Sequence, residues 1–429
     1  MREARRRQRR RWLLSALTLV SVGGLVAGLT MSTGSPPRPP PALRQKTQPP
    51  TSAPSSRAVT QPVVPPAISG PPRLVSIAFV NPTSGYGVFV TGLTTPVCSV
   101  AVAATSNGGA TFAPPVAVAS WCTPGTKVAF DDHGDGFLYS STTNVVYVTH
   151  DAGSTWSAQK EAGKVLSVEA LGASVWMLAV RCSATRAGST SASCRLTLRQ
   201  STDGGRTWHT STSQPRTGPP SPGASAGSGE LVRLSRTAAY VLGGPNNLGN
   251  GQLSTVPLWY TGDDGTTWTL HALSCGMPAT SVFLSSAPTG TLYGACAGQP
   301  GVGNQMKSVV ASTDGGASWY HPRGCNPTPG FGSASRGWCT TGFSPGYVDG
   351  IVAVSSTTAF LYGDRLGVAK IVGGGGTTRY STFMADVTFF TPSAGVALGL
   401  SSDNAGPAVW HTDNGGSSWT LVTPVIAKS

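Results

Sequence analysis

Charge is scarce in this chain of 429 residues: Asp, Glu, Lys and Arg together make up only 11% of it. Glutamate is scarcer still, and beyond residue 73 there are only Glu161, Glu169 and Glu230. Hydrolysis of glycosides by facing carboxylates has few acids to draw on here. The eight cysteines form no C-x-x-C pair, which weakens zinc and thioredoxin-like readings. The six histidines are scattered, and neither a Ser-His-Asp order nor a glycine-rich phosphate loop stands out. No nucleic-acid-binding motif accompanies the net charge of +13. Residues 1–73 hold 12 of the 30 Lys and Arg and one of the 17 acids, Glu3, which leaves 18 bases against 16 acids, net +2, for the rest. No cofactor or metal is expected.

The basic excess sits at one end. Residues 1–11 carry seven arginines and read as a cytoplasmic tail. An uncharged apolar run from Trp12 to Met31 follows, long enough to cross a bilayer as one helix. Residues 12–34 are therefore expected to form a signal-anchor in the cell membrane, with a cleaved signal peptide and secretion as the alternative. Residues 35–73, with PPRPPP, QPP and PPAISGPP among Ser, Thr and Ala, read as a disordered linker. The extracytoplasmic domain is then 74–429.

What that domain has in abundance is turns, with 55 Gly and 34 Pro in the chain. One pattern recurs six times: [S/T]-x-[D/N]-x-G-x-[S/T]-[W/F]. Its third and eighth positions are Asn107 and Phe112, Asp151 and Trp156, Asp203 and Trp208, Asp263 and Trp268, Asp314 and Trp319, and Asn414 and Trp419. The acid or amide accepts hydrogen bonds from its own turn. The glycine supplies a positive φ, and the aromatic enters the core. Each copy reads strand, locked turn, strand.

The motif resembles the Asp-box, or bacterial neuraminidase repeat, of sialidases, sortilin-type receptors, some glucanases and photosystem II assembly-factor-like proteins. That resemblance covers nearly the whole chain beyond residue 73. It implies a β-propeller whose boxes join the third and fourth strands of each blade. It does not single out a function, because enzymes, receptors and assembly factors share the motif. The assembly-factor-like propellers are the nearest in pattern, but the arginine cluster on their binding surface has no residue-by-residue match here.

Successive boxes lie 44, 52, 60, 51 and 100 residues apart, so a degenerate copy is expected in the last gap, at VGGGGTTRY (372–380). An independent element of two apolar strands and a small-residue turn precedes each box and occurs seven times, from 75–90 to 386–400. The expected fold is all-β, one seven-bladed propeller of four-stranded blades. Ring closure stays open: Trp419–Pro424 supplies a fourth strand for the last unit, and 63–68 is free to pair at an edge. Sequence grouping favours disulfides Cys98–Cys122, Cys182–Cys194, Cys275–Cys296 and Cys325–Cys339.

With strands of each blade named A to D, the boxes and A–B turns share one face. The variable B–C loops and D–A connections (182–194, 243–255, 298–306, 401–406, 209–229 and 321–348) share the other. Loops on a rigid scaffold carry binding, so the loop-rich face is the expected working face. The 321–348 insertion offers His321, Arg323, Phe331, Arg336, Trp338, Phe343 and Tyr347, residue types frequent at binding hot spots. A small local core beneath a long loop is the competing reading. No F/Y-R-I-P motif or sialidase-type arginine triad is evident, so no catalytic residue is assigned. The function expected is a monomeric, non-catalytic binding or scaffold propeller for a protein or surface glycan, with a cell-surface glycoside hydrolase as the alternative. DDHGDG (131–136) resembles the start of a calcium loop but aligns with an A–B turn and is read as one.

Overall fold

The computed structural model describes residues 61–62, 72–92, 98–121, 125–182, 194–215, 229–243, 253–301, 304–322, 346–372, 376–377, 383–401 and 406–428. The chain divides into two units, Met1–Ala53 and Pro54–Ser429. The expected tail, membrane helix and nearly all of the linker lie outside the described residues. Among the described residues no helix is long and apolar enough to cross a membrane.

The second unit is a seven-bladed β-propeller. Its antiparallel blades occupy 73–119, 126–160, 164–210, 229–279, 281–312, 350–377 and 384–422 in chain order. The A strands, innermost in each blade, are Arg73–Phe79, Thr126–Phe130, Lys164–Leu171, Gly229–Arg233, Ser281–Ser286, Gly350–Ser355 and Met384–Phe389. B strands such as GYGVFVT (Gly85–Thr91) are buried on both faces, because each is covered by a blade on either side. Their valines, alanines and aromatics suit a pleated surface packed on two sides.

Seven apolar clusters fill the seven gaps between blades. Tyr86, Val88 and Val102 of the first blade meet Leu138 and Trp156 of the second. Phe137 and Val148 meet Met177 and Trp208 across the next gap. The same sharing runs through the following four gaps. The last cluster joins Val396, Leu398 and Val409 of blade seven to Leu74, Phe89 and Phe112 of blade one, which closes the ring.

Closure has polar parts as well. Asp386 of the seventh A strand accepts the hydroxyl of Ser76 at 2.7 Å and the amide of Ile77 at 3.0 Å. Val425–Ile426 runs parallel to Thr111–Phe112 of the first turn motif. Thr420–Val422 is the last blade's own fourth strand, as expected. The N-terminal edge strand is Gln61–Pro62, and it lies on the outer strand of blade two rather than at the seam; 63–68 lies outside the described residues.

Two departures concern fourth strands. In blade five the described part of the fourth strand is a single bridge, Ala311 to Tyr320. In blade six the expected damaged motif at 372–380 is described only at Val372 and Gly376–Thr377. Lys370 pairs with Gly376, leaving five residues between them, whereas Gln200 pairs with His209 across eight. Gly376 thus begins the fourth strand instead of shaping a turn. The expected loop at 298–306 is also largely strand, since Pro300 pairs with Gln305 and Gly301 with Asn304.

The disulfide Cys182–Cys194 pins the B–C ends of blade three, where the two residues are cross-strand partners. Cys275–Cys296 links blades four and five, with both residues fully buried. Cys98 is disulfide-bonded; its expected partner Cys122, together with Cys325 and Cys339, lies outside the described residues.

Candidate functional site

The six turn motifs share one hydrogen-bond scheme. In the third, the Ser201 hydroxyl donates to Asp203 Oδ1 at 2.7 Å and accepts the Gly205 amide at 2.8 Å. Asp203 also accepts the Thr207 amide at 2.8 Å and the Thr207 hydroxyl at 2.6 Å. Positions four and five both take positive φ, 70° and 84° at Gly204 and Gly205. A Cβ on Gly205 would lie 2.6 Å from the Phe137 ring, so space as well as backbone conformation demands glycine. At position four Ala152 and Asp264 adopt positive φ without being glycine. The position-four amide donates to the A–B turn of its own blade in five motifs, as Gly204 does to Ala173 at 2.9 Å. Motifs and A–B turns therefore share a face. Asp131 belongs to this set: its Oδ1 accepts the amides of His133 and Asp135, both at 2.9 Å, as a turn residue does.

The A strands line the axis, and register brings distant charges to a similar height along it. Lys127, Glu230 and Asp386 each stand three residues before the A-strand residue whose B-strand partner faces the first motif position. Glu230 Oε2 accepts the Leu284 amide of the next blade at 2.8 Å, as Asp386 does with Ile77 at 3.0 Å. Lys127 is exposed and Glu169 and Glu230 are half-buried; water reaches them, yet protein surrounds them, as happens along a narrow channel. Burial, and then the Glu230 carboxylate, push Glu169 up to about 7 against the pull of Arg233 and Lys127. Burial pushes Glu230 up to about 7 despite the Leu284 amide and Lys127. Burial alone would lower Lys127, but Tyr139, Asp386, Tyr362 and Glu230 raise it overall.

On the loop-rich face a cavity of about 700 Å³ spans the loop ends of blades two and three. Trp121, before blade two, and Tyr147 line one part of it, their rings 6.3 Å apart and tilted by 39°. The B–C corner Thr142–Asn144 and the connection Ala162–Lys164 form further wall, and Val180–Cys182 closes it beside the disulfide. The Asn144 side-chain amide donates to the Glu161 carbonyl at 3.2 Å, fastening corner to connection. Gly163 permits a close approach, since a Cβ there would lie 2.4 Å from the Val180 carbonyl. Lys164 and Arg181, both exposed, bring positive charge, and no carboxylate lines the cavity among the described residues.

Of the residues singled out from sequence, His321 and Tyr347 are described. His321 Nδ1 lies 3.1 Å from the Val309 carbonyl, within its own blade. The Tyr347 amide donates to the Asp364 carbonyl of blade six at 2.8 Å. Arg323, Phe331, Arg336, Trp338 and Phe343 lie outside the described residues. The blade-two cavity went unseen in the sequence, because its walls come from four separate segments, each unremarkable alone.

No protein-family model matches the chain, and no curated protein matches it. Among solved structures, the chain is similar to YCF48 from Cyanidioschyzon merolae at 15% identity, over 84% of this chain and 99% of that one, with a TM-score of 0.47. A YCF48 bound to a D1 peptide aligns at 16% identity over 70% and 81%, with a TM-score of 0.43. The GH74 enzyme of Niastella koreensis aligns at 14% identity over 82% of this chain and 58% of that one, with a TM-score of 0.46. Likeness at this level carries no argument about ligand or chemistry. The assignment of the fold rests on the seven sheets and the seven clusters between them.

Proposed function

We propose that the chain is a membrane-tethered, extracytoplasmic binding propeller of the Asp-box kind, which recognises a protein or surface glycan through its loop-rich face without catalysis. The observation that carries this reading is the cavity over the loop ends of blades two and three, with its aromatic pair, cationic rim and lack of a lining carboxylate among the described residues. Its volume of about 700 Å³ falls within the usual range of ligand sites. On the opposite face Asp151, Asp203, Asp263 and Asp314 are engaged in their own turns. The 321–348 insertion would extend the same working face, and the apolar run 12–31 would hold it at the cell surface. A glycan array and an affinity pull-down with the full chain test this: a saturable partner lost on substitution in the loop-rich face is the expected result, and turnover of a fluorogenic glycoside would overturn it.

The channel favours one second reading, a glycoside hydrolase. The Glu230 carboxylate of blade four helps raise Glu169 of blade three, and a carboxyl raised to about 7 is suited to donate a proton. The binding reading stands ahead of it because Glu230 is already a clasp between blades, through Leu284. Glycosidase turnover abolished by Glu230→Gln in a folded protein would reverse that order.

A further inference from the structure

The charge around the blade-two cavity is one-sided in a way that packing does not explain. Arg181 and Arg195 are direct cross-strand partners on the B and C strands of blade three. Like charges placed opposite one another destabilise a sheet. The Cys182–Cys194 bridge at the adjoining pair holds the two strands, and so the backbones of both arginines, together at that end. Lys164 stands at the start of the neighbouring A strand, paired with Val180 next to Arg181. Among the described residues none of these three cations forms an ion pair. The nearby acid Glu161 is taken, because both its oxygens accept from Arg199 at 2.7 Å.

Beside this unneutralised charge stands an aromatic wall. An aromatic ring presents a negative face, which attracts the weakly positive C–H face of a pyranose just as it attracts cations. Trp121 and Tyr147 pack against the apolar cluster between blades one and two, which fixes their rings, and both stay partly exposed where they line the cavity. The Thr142 hydroxyl, exposed at the B–C corner, adds a polar contact suited to a polyol. An acidic peptide would use the cations and leave the paired rings idle. A neutral sugar would use the rings and leave the arginines repelling one another.

We infer that this cavity is a subsite for a saccharide bearing a carboxylate, a uronic-acid-type sugar. Its ring rests on Trp121 and Tyr147, and its carboxylate is held by Arg181 and Lys164. This rests on the binding reading above and narrows it to one ligand class.

The test is calorimetric titration of the full chain with trigalacturonate and with a hyaluronan tetrasaccharide, against maltotriose as the neutral control and hexaglutamate as the acidic-peptide control. Binding of at least one uronate is expected, weakened tenfold or more by the Arg181→Gln/Lys164→Gln pair and by Trp121→Ala. Trp121→Phe, which keeps a ring, should retain most of the affinity, and unchanged melting temperatures would establish that the variants fold. Higher salt should weaken uronate binding through the cations. Equal binding of maltotriose would overturn the role of the carboxylate. Hexaglutamate binding that is insensitive to Trp121→Ala would overturn the sugar but leave the loop-rich face a protein-binding surface. If no probe binds while the array or pull-down finds a partner elsewhere on that face, the inference fails and the broader reading stands. If no partner is found by any route, both fail.

Discussion

In each turn motif the side chain at position three holds both ends of the turn, and the chain supplies its own controls for what the charge adds. Asn107 and Asn414 accept the position-one hydroxyl and the position-seven amide through Oδ1, as the aspartates do. Only an aspartate offers a second acceptor to the position-seven hydroxyl, as in Thr267 to Asp263 at 2.6 Å. Asp203→Ala should therefore lower unfolding free energy by about 1–3 kcal/mol, and Asp203→Asn by about 1 kcal/mol or less. Chemical denaturation measures both, and an equal loss in the two variants would contradict this account. Loop-face binding by folded Asp203→Ala should be unchanged, because the motif lies on the opposite face. Much of the motif was legible in sequence, since Asx turns and glycine depend on neighbours along the chain. The second positive φ, at position four, was not, because Ala152 and Asp264 give no sign of it.

The blades hold together through contacts between elements far apart in sequence. Cys275–Cys296 crosslinks the fourth strand of blade four to the second strand of blade five. Its removal by Cys275→Ala/Cys296→Ala frees a loop of some twenty residues in the unfolded chain, a loss of about 3 kcal/mol on the loop-entropy estimate. Asp386→Ala removes the acceptor for Ser76 and Ile77 at the seam between blades seven and one. Leaving a buried backbone amide unpaired costs about 1–3 kcal/mol, so this variant should unfold at lower denaturant. It should also show faster amide exchange in strands Arg73–Phe79 and Met384–Phe389 than in blade three. Uniform exchange through the ring would count against a local role for the seam. The blade count was legible from the seven apolar elements, but the start of the fourth strand in blade six was not, because the glycines of 372–380 fit two loop lengths. Pairing of Lys370 with Gly376 decides between them.

For the whole molecule, the pH dependence of stability follows from two opposed groups of carboxyls. Glu169 and Glu230 are raised to about 7, and burial also raises Asp349. The folded state binds these protons more tightly than the unfolded state, so stability is present at low pH and falls as pH rises from about 4.5 through 7. The turn aspartates work the other way. Hydrogen bonds from Thr267 hold Asp263 down, those from Ser318 hold Asp314 down to about 2, and in Asp151 and Asp203 similar bonds outweigh partial burial. Their contribution is present above about pH 4 and is lost as pH falls through their folded values. Buried Lys307, lowered to about 8, adds stability only as pH rises above that value. The melting temperature should thus peak near about pH 5 and decline towards both pH 8 and pH 2. The loss of unfolding free energy from pH 5 to 8 is on the order of 2 kcal/mol after allowing for water in the channel. Glu169→Gln should flatten that limb, and a profile still falling equally in the variant would remove Glu169 from the explanation.

Local order was in the sequence by itself. The octapeptide turns, the alternating apolar strands and their sevenfold recurrence depend on residues within a few positions of one another, so the pattern of the chain determines the propeller. Sequence spacing likewise anticipated the described disulfides Cys182–Cys194 and Cys275–Cys296. What only the tertiary structure decided is what meets across blades. Lys127, Glu230 and Asp386 share a register step because three separate strands turn their edges to one axis. Trp121, Tyr147, Lys164 and Arg181 surround one cavity because neighbouring blades bring their loop ends to the same side. Such meetings depend on ring closure and strand register, which no stretch of the chain encodes alone.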